Sequence, residues 1–346
     1  MRGGSVKDAL IVEVPGKDPV IPRTATMDDQ EKIAQECSSL DDWSIGTVHE
    51  IPAISRFMSQ LGGCTETGKI FWRLEDKQVV SLIIDGWFRE STTENRNALE
   101  NKKSILIGSP GIGKSTLLCL MAFYLVFKRK KNVFLYRRTY EQGFNRCLLY
   151  MTHDAVQVVC FSVPSLEDPE ASEIYEALTS QICAKNIWVL LDGFPYGEIP
   201  AGFEPFDMLA TSQQVDLKSL EAVGSYCCLL PSWSKTDLMS LGRLLYEFAE
   251  DEMETRFYYS GGSVRDFTMD TVDDMRRGVD NVVTRSENTQ LLFSSRGSIL
   301  SGNSQFDRLR RTFVENSSEI AQFALPRHWE QVIDSEYALR SLSEPG

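Results

Sequence analysis

The run SILIGSPGIGKSTLLCLMAFYLVF, residues 104–127, decides the fold class of this chain. Within it, Gly108–Ser115 fits the pattern G-x-x-x-x-G-K-[ST]. A short β-type run, SILI, precedes it and a long apolar helix-type run follows, which is the strand–loop–helix context that a phosphate-cradling loop requires. The glycines let the backbone fold tightly enough for successive N–H groups to face phosphate oxygens. The helix N-terminus adds positive dipole. Lys114 is expected to reach the β- and γ-phosphates and the Ser115 hydroxyl to ligate Mg²⁺. The expected binding set is therefore Gly108, Ser109, Pro110, Gly111, Ile112, Gly113, Lys114, Ser115 and Thr116.

Such a loop needs an acid at the end of a second buried strand. Ile187-Trp-Val-Leu-Leu-Asp192 supplies one, and Asp192 is expected to hold Mg²⁺ in the manner of a Walker-B aspartate. Many ATPases place Glu at the next position to orient the attacking water, but here it is Gly193. Hydrolysis is accordingly expected to be slow, with Glu198 and Glu204 in the following loop unassigned. A further strand, Asp207–Thr211, ends in the hydroxyls of Thr211 and Ser212, which suit a γ-phosphate sensor as well as a strand-end cap. Arg265, presented after Tyr258-Tyr-Ser-Gly-Gly-Ser263, could report the γ-phosphate.

Outward from the motif, short β-branched or aromatic runs recur between helical stretches. The expected strands are Ser104–Gly108, Val133–Arg137, Ala155–Val163, Ile187–Asp192, Asp207–Thr211 and Tyr226–Leu230, with helices over Ser115–Lys128 and Ala171–Ala184. Near-continuous apolar strands alternating with helices indicate a parallel sheet covered on both faces, the α/β class. After Ser234 only helices are expected, over Ser234–Asp251, Thr271–Phe293 and Ser304–Phe323, broken at Gly261–Gly262 and Gly297. The chain thus divides into an irregular arm (1–45, with Pro15, Pro19 and Pro22), a small helical preface (46–100, with Ile51, Ile54 and Met58 at helical spacing), the loop-bearing core (101–233) and a helical lid or bundle (234–346). Lys128–Lys131 suits a solvated helix end. Arg308, Arg310 and Arg311 suit a solvated face, the acidic start at Glu167–Glu176 suits a helix dipole, and His153 suits a structural role.

Composition narrows the function classes. The 346 residues carry 36 Lys+Arg against 49 Asp+Glu, a net charge of −13, without the basic footprint of a duplex-binding protein. The eight cysteines form no C-x-x-C pair and there are only three histidines, so zinc is not expected and the thiols read as buried and reduced. The longest apolar run, Leu117–Phe127, is well short of the roughly 20 residues a membrane helix needs. The N-terminal residues do not resemble a secretory signal peptide.

No D-x-x-G or N-K-x-D motif of a GTPase appears, nor an LSGGQ-type signature or a D-E-A-D-like box. The exclusions leave an AAA/STAND-type ATPase or switch, or a small-molecule kinase. The elements GSPGIGKS, WVLLDG, MLATSQQ, LLPSWSKTDL (229–238) and FYYSGGSVRDF (257–267) resemble, in this order, the Crinkler effectors of oomycetes and some fungi, and are similar to the retrotransposon hot spot proteins of trypanosomes. The likeness runs over roughly residues 50–340. It implies a STAND-like P-loop NTPase, a regulatory module of a secreted effector acting inside a host cell, often in its nucleus. It also implies Mg-ATP held by Lys114, Ser115 and Asp192, with Thr211 or Ser212 and Arg265 as sensors, and, as partners, the nucleotide, an unidentified host protein and self-association. Trp233 and Tyr258–Tyr259 would pack the lid against the core. No LFLAK-type string occurs in residues 1–50, and the stretch after Ser304 is too short for the toxin domain that commonly follows. The alternatives are a small-molecule or nucleoside kinase with Arg308–Arg311 as a basic lid, and a non-catalytic interaction protein with a relic site.

Overall fold

A computed structural model of the chain describes residues 12–20, 23–24, 27–59, 61–87, 103–141, 144–154, 157–164, 167–182, 187–212, 225–285 and 308–343. The N-terminal part contributes β1 (Arg23–Thr24), α1 (Met27–Cys37), β2 (Thr47–Glu50), α2 (Pro52–Met58), β3 (Lys69–Trp72) and α3 (Leu74–Ser81). The core follows with β4 (Ser104–Ile107), α4 (Lys114–Phe127), β5 (Asn132–Glu141), β6 (Phe144–Asp154), β7 (Gln157–Pro164), α5 (Asp168–Ile182), β8 (Ile187–Asp192), β9 (Met208–Thr211) and β10 (Tyr226–Leu229). The C-terminal part holds α6 (Lys235–Leu241), α7 (Glu250–Ser260), α8 (Val264–Phe267), α9 (Val272–Thr284), β11 (Arg311–Val314), β12 (Trp329–Val332) and α10 (Glu336–Ser343).

The protein is α/β. Its eight-stranded sheet runs β1-β7-β6-β5-β8-β9-β4-β10. The pairs β5–β8, β8–β9, β9–β4 and β4–β10 are parallel. All four residues of β4 and of β9 are buried, as expected for strands covered on both faces. Helix α4 is apolar all round and Leu117–Val126 are all buried, so it fills the core instead of presenting a wet face. Because the central strands are parallel, the C-terminal ends of β4, β8 and β9 share one edge, where ligands bind in open α/β sheets. No helix among the described residues is long and apolar enough to cross a membrane.

Four expectations need correction. The sheet is not wholly parallel: β6, absent from the sequence reading, makes an antiparallel hairpin with β7, and β1 adds to its edge. The short apolar run Cys147–Met151 looks the same in a buried strand and in a helix, and the short links on either side of β6 leave no room for a parallel crossover. Residues 27–37 of the expected irregular arm are helical, with Gln30, Ile33 and Cys37 buried at i, i+3 and i+7. The signal was weak because one member of that stripe is polar. The expected helical preface also holds the antiparallel ribbon β2–β3; between its strands Ile51, just before α2, and Ile54 and Met58 within α2 are buried.

The C-terminal part is not purely helical. The expected helix over Ser304–Phe323 is, where described, the strand β11 paired with β12, followed by a short 3₁₀ turn. The β-branched and aromatic residues Thr312, Phe313 and Val314 suit a strand better than a helix. The region 286–307, with Phe293, Gly297 and Ser304, lies outside the described residues, as do the side chains of His153, Cys160 and Cys183. Cys37, Cys119, Cys147 and Cys228 are buried. Lys128, Arg129 and Lys130 are exposed at the end of α4.

Candidate functional site

The loop between β4 and α4 carries the expected binding set. Gly111 has φ +78°, in the left-handed region, and a Cβ there would come within 2.7 Å of Ser263 Oγ. Its carbonyl accepts a 3.0 Å bond from the Arg265 N–H, so α8 sits directly against the loop. Gly113 caps α4 in the left-handed region at φ 101°. Lys114 Nζ donates to the carbonyls of Gly108 (2.9 Å) and Ser109 (2.8 Å), which folds the lysine back over its own loop. Thr116 Oγ1 donates to the Cys64 carbonyl at 2.5 Å and ties the first turn of α4 to the segment before β3.

The Ser115 hydroxyl donates to Asp192 Oδ1 at 2.8 Å, joining residues 77 positions apart. Asp192 ends β8 and is 3% exposed. Its second oxygen, Oδ2, accepts from Arg137 Nε at 3.0 Å. Arg137 lies opposite Asp192 in the β5–β8 register and is itself 4% exposed. Sequence reasoning assigned it no role. The signal was there: the apolar runs Val133–Tyr136 and Ile187–Leu191 are each followed by a charge, of opposite sign in the two. Burial pushes the neighbouring Cys119 and Cys147 thiols up, to about 11 and about 12, so both are neutral and Asp192 supplies the counter-charge to Arg137.

Gly193 follows Asp192 at φ +79°, and a Cβ there would lie 2.7 Å from the Arg138 carbonyl. A glutamate at this position is therefore sterically excluded as well as absent. Glu198 pairs with Arg138 at 3.0 Å. Thr211 is buried at the end of β9, and its hydroxyl donates to the Phe194 carbonyl at 2.8 Å, bracing the turn after Asp192. Ser212 follows at the strand end. Arg265 stands at the loop mouth with its side chain 54% exposed, 3.8 Å from Asp266.

The C-terminal part is bound to the back of the loop. Ser109 Oγ donates to the Arg310 carbonyl at 3.1 Å, the Ser232 N–H to the Thr312 carbonyl at 2.8 Å, and Trp233 Nε1 to the Ile112 carbonyl at 3.0 Å. Trp233 also stacks beneath the buried Arg73 guanidinium, 4.3 Å from its ring centre. The expected solvated face of Arg308, Arg310 and Arg311 is corrected: Arg308 is exposed, but Arg310 and Arg311 are buried. Arg311 donates to the carbonyls of Arg308 (2.7 Å) and Ser260 (3.3 Å) and faces Asp266 and Asp334, which offset only part of the cost of burial: its pKa lies below the ordinary arginine value, chiefly through desolvation. Tyr258 and Tyr259 pack against Tyr337 of α10.

Two hollows flank the loop. One, of about 370 Å³, lies between Gly111–Leu117, the strand β3, the turn Leu241–Tyr246 and Arg265. This is within the usual range for a small-molecule site. Trp72, whose Nε1–H has no hydrogen-bond partner among the described residues, is among its lining residues. The other, of about 660 Å³, is bordered by Pro52, Ser55, Arg56, Ser59 and residues 62–68 together with Ser115, Thr116 and Arg137. Glu66 borders both.

No protein-family model matches the chain. Nor does any curated protein.

The arrangement offers a lysine, backbone N–H groups at a helix N-terminus, and a hydroxyl–carboxylate pair, all at one sheet edge. Among the described residues no cluster of three His, Cys, Asp or Glu could hold a metal ion. Ser115 and Asp192 are hard oxygen donors that suit Mg²⁺, a cation usually bound by one or two carboxylates with waters and phosphate oxygens completing the shell.

Proposed function

We propose that the chain binds a magnesium–nucleoside triphosphate along Gly108–Thr116 and acts as a slowly hydrolysing, nucleotide-dependent switch of the P-loop type. One observation carries the reading: the 2.8 Å bond between Ser115 and Asp192, which unites the loop and the strand-end acid at the N-terminus of α4. In this reading Lys114 exchanges the Gly108 and Ser109 carbonyls for β- and γ-phosphate oxygens, and the loop N–H groups take the remaining phosphate contacts. Ser115 and Asp192 would hold Mg²⁺, which would supply charge neutralisation to the bound phosphates. Arg265, at the loop mouth, meets the γ-phosphate, and its backbone bond to Gly111 couples that meeting to the lid. Thr211 acts on the site through the turn it braces. The steric exclusion of a side chain at Gly193 supports slow hydrolysis.

The resemblance at Pro231–Leu238 and Phe257–Phe267 supports ATP as the nucleotide and a Crinkler-like effector role, secreted and acting on a host protein. The kinase alternative loses its basic lid, since Arg310 and Arg311 are buried. The deciding experiment is equilibrium binding of a fluorescent ATP analogue with Mg²⁺ to wild type and Lys114→Ala, with GTP as competitor. Binding lost in the variant is the expected result. Absent or equal binding in both proteins makes the loop a relic and overturns the reading.

A further inference from the structure

The two oxygens of Asp192 are divided between two partners. Oδ1 accepts from Ser115, and Oδ2 accepts from Arg137 Nε. Both members of the Arg137–Asp192 pair are 4% exposed at the side chain, so water screens the pair little. The same guanidinium donates through Nη1 to the carbonyls of Leu61 (2.7 Å) and Gly63 (2.6 Å), and the Cys147 thiol also donates to Leu61. Gly62 and Gly63 border the larger hollow beside Ser115 and Thr116.

We propose that Arg137 is a positioning residue that makes metal and nucleotide bind only together. It orients Asp192 so that one oxygen faces Ser115, and it cancels the carboxylate charge that would otherwise hold a divalent cation by itself. A cation approaching Oδ1 meets a neutral pair, and its net attraction comes from the phosphates it arrives with. The bonds to Leu61 and Gly63 tie the turn before β3 to the same carboxylate, so a shift of Asp192 toward a bound metal pulls on that turn. The inference rests on the proposed nucleotide site, but its primary test does not use nucleotide.

The probe is Mn²⁺, followed by electron paramagnetic resonance, which separates free from bound ion. Titrated alone, wild type is expected to hold no Mn²⁺ below about 1 mM, as suits a site that keeps Mg²⁺-type ions only with added phosphates. Arg137→Gln, with the charge removed, is expected to bind Mn²⁺ alone at least tenfold more tightly than wild type. Arg137→Lys keeps the charge but cannot span Asp192, Leu61 and Gly63, and is expected to behave as wild type toward Mn²⁺ alone. A purely packing role predicts the opposite grouping, with both variants alike. Tight Mn²⁺ binding by nucleotide-free wild type overturns the proposal without any variant, as does unchanged binding in a folded Arg137→Gln. Should Arg137→Gln not fold, wild type and Arg137→Lys still decide: Mn²⁺ held alone by either one overturns it. A parallel titration with the fluorescent ATP analogue reports separately on the nucleotide reading.

Discussion

At Asp192, the residue that decides most of the site, structure and chemistry are joined. Removing its carboxylate leaves Arg137 buried without its counter-charge, and breaking a buried pair from one side costs about 3–5 kcal/mol. Asp192→Ala is therefore expected to lower unfolding free energy by that amount in a denaturant titration, well beyond any loss of metal binding. Lys114→Ala, which removes bonds to two loop carbonyls and breaks no buried ion pair with Asp192, is expected to change stability by far less. It is the cleaner probe of nucleotide binding. Gly193→Glu tests the missing glutamate. The strained φ and the Arg138 carbonyl make the substitution destabilising by about 1–3 kcal/mol, and phosphate release is expected not to rise. A folded variant with faster turnover would show that the turn relaxes and that steric exclusion does not limit hydrolysis.

The elements behind the loop carry a pH dependence. Burial pushes the Asp334 carboxyl up to about 6, against the pull of the Arg311 guanidinium and the Gly262 N–H. Burial likewise raises Asp207 to about 6, opposed by the Val189 N–H. Each group binds its proton more tightly folded than unfolded, where the value is 3.8. Their contribution to stability is therefore greatest below pH 4, falls as pH rises through the window from about 4 to 6, and is constant above it. Asp334→Asn removes one of the two, while its amide oxygen can still accept from Gly262. Relative to wild type, the variant is expected to gain up to about 3 kcal/mol between pH 4 and pH 7, read from urea unfolding across that range. An unchanged difference would mean that Asp334 does not titrate there.

On the scale of the whole molecule, residues 308–343 and the loop are parts of one hydrogen-bonded assembly. The residue before β11 meets the loop through the Ser109–Arg310 bond, and β11 itself meets the residues after β10 through Ser232 and Thr312. A ligand that orders the loop should therefore be felt in the C-terminal hairpin. On the proposed reading, Mg-ATP at a hundredfold excess over its dissociation constant would stabilise the folded chain by about 2.7 kcal/mol. The expected hydrogen-exchange pattern is protection over residues 108–116 that extends to 310–314 in wild type and is absent from Lys114→Ala. Protection confined to the loop would detach the C-terminal part from the switch.

The residue order alone determined the α/β class, the loop, its strand and its helix, because those depend on local steric and apolar patterns that a run of twenty-four residues carries complete. It also placed Asp192 at the end of a buried strand. Only the tertiary structure decided that Arg137 neutralises that acid, since the contact depends on which strands are neighbours and in what register. The same holds for the burial of Arg310 and Arg311. Charge in a sequence reads as solvent-facing by default, and only the packing of β11 between loop and lid, with carbonyls and carboxylates in reach, makes a buried arginine tolerable. The hairpin β6–β7 and the ribbon β11–β12 escaped for a related reason. Short apolar runs acquire their strand identity from the partner they pair with, and that partner lies elsewhere in the chain.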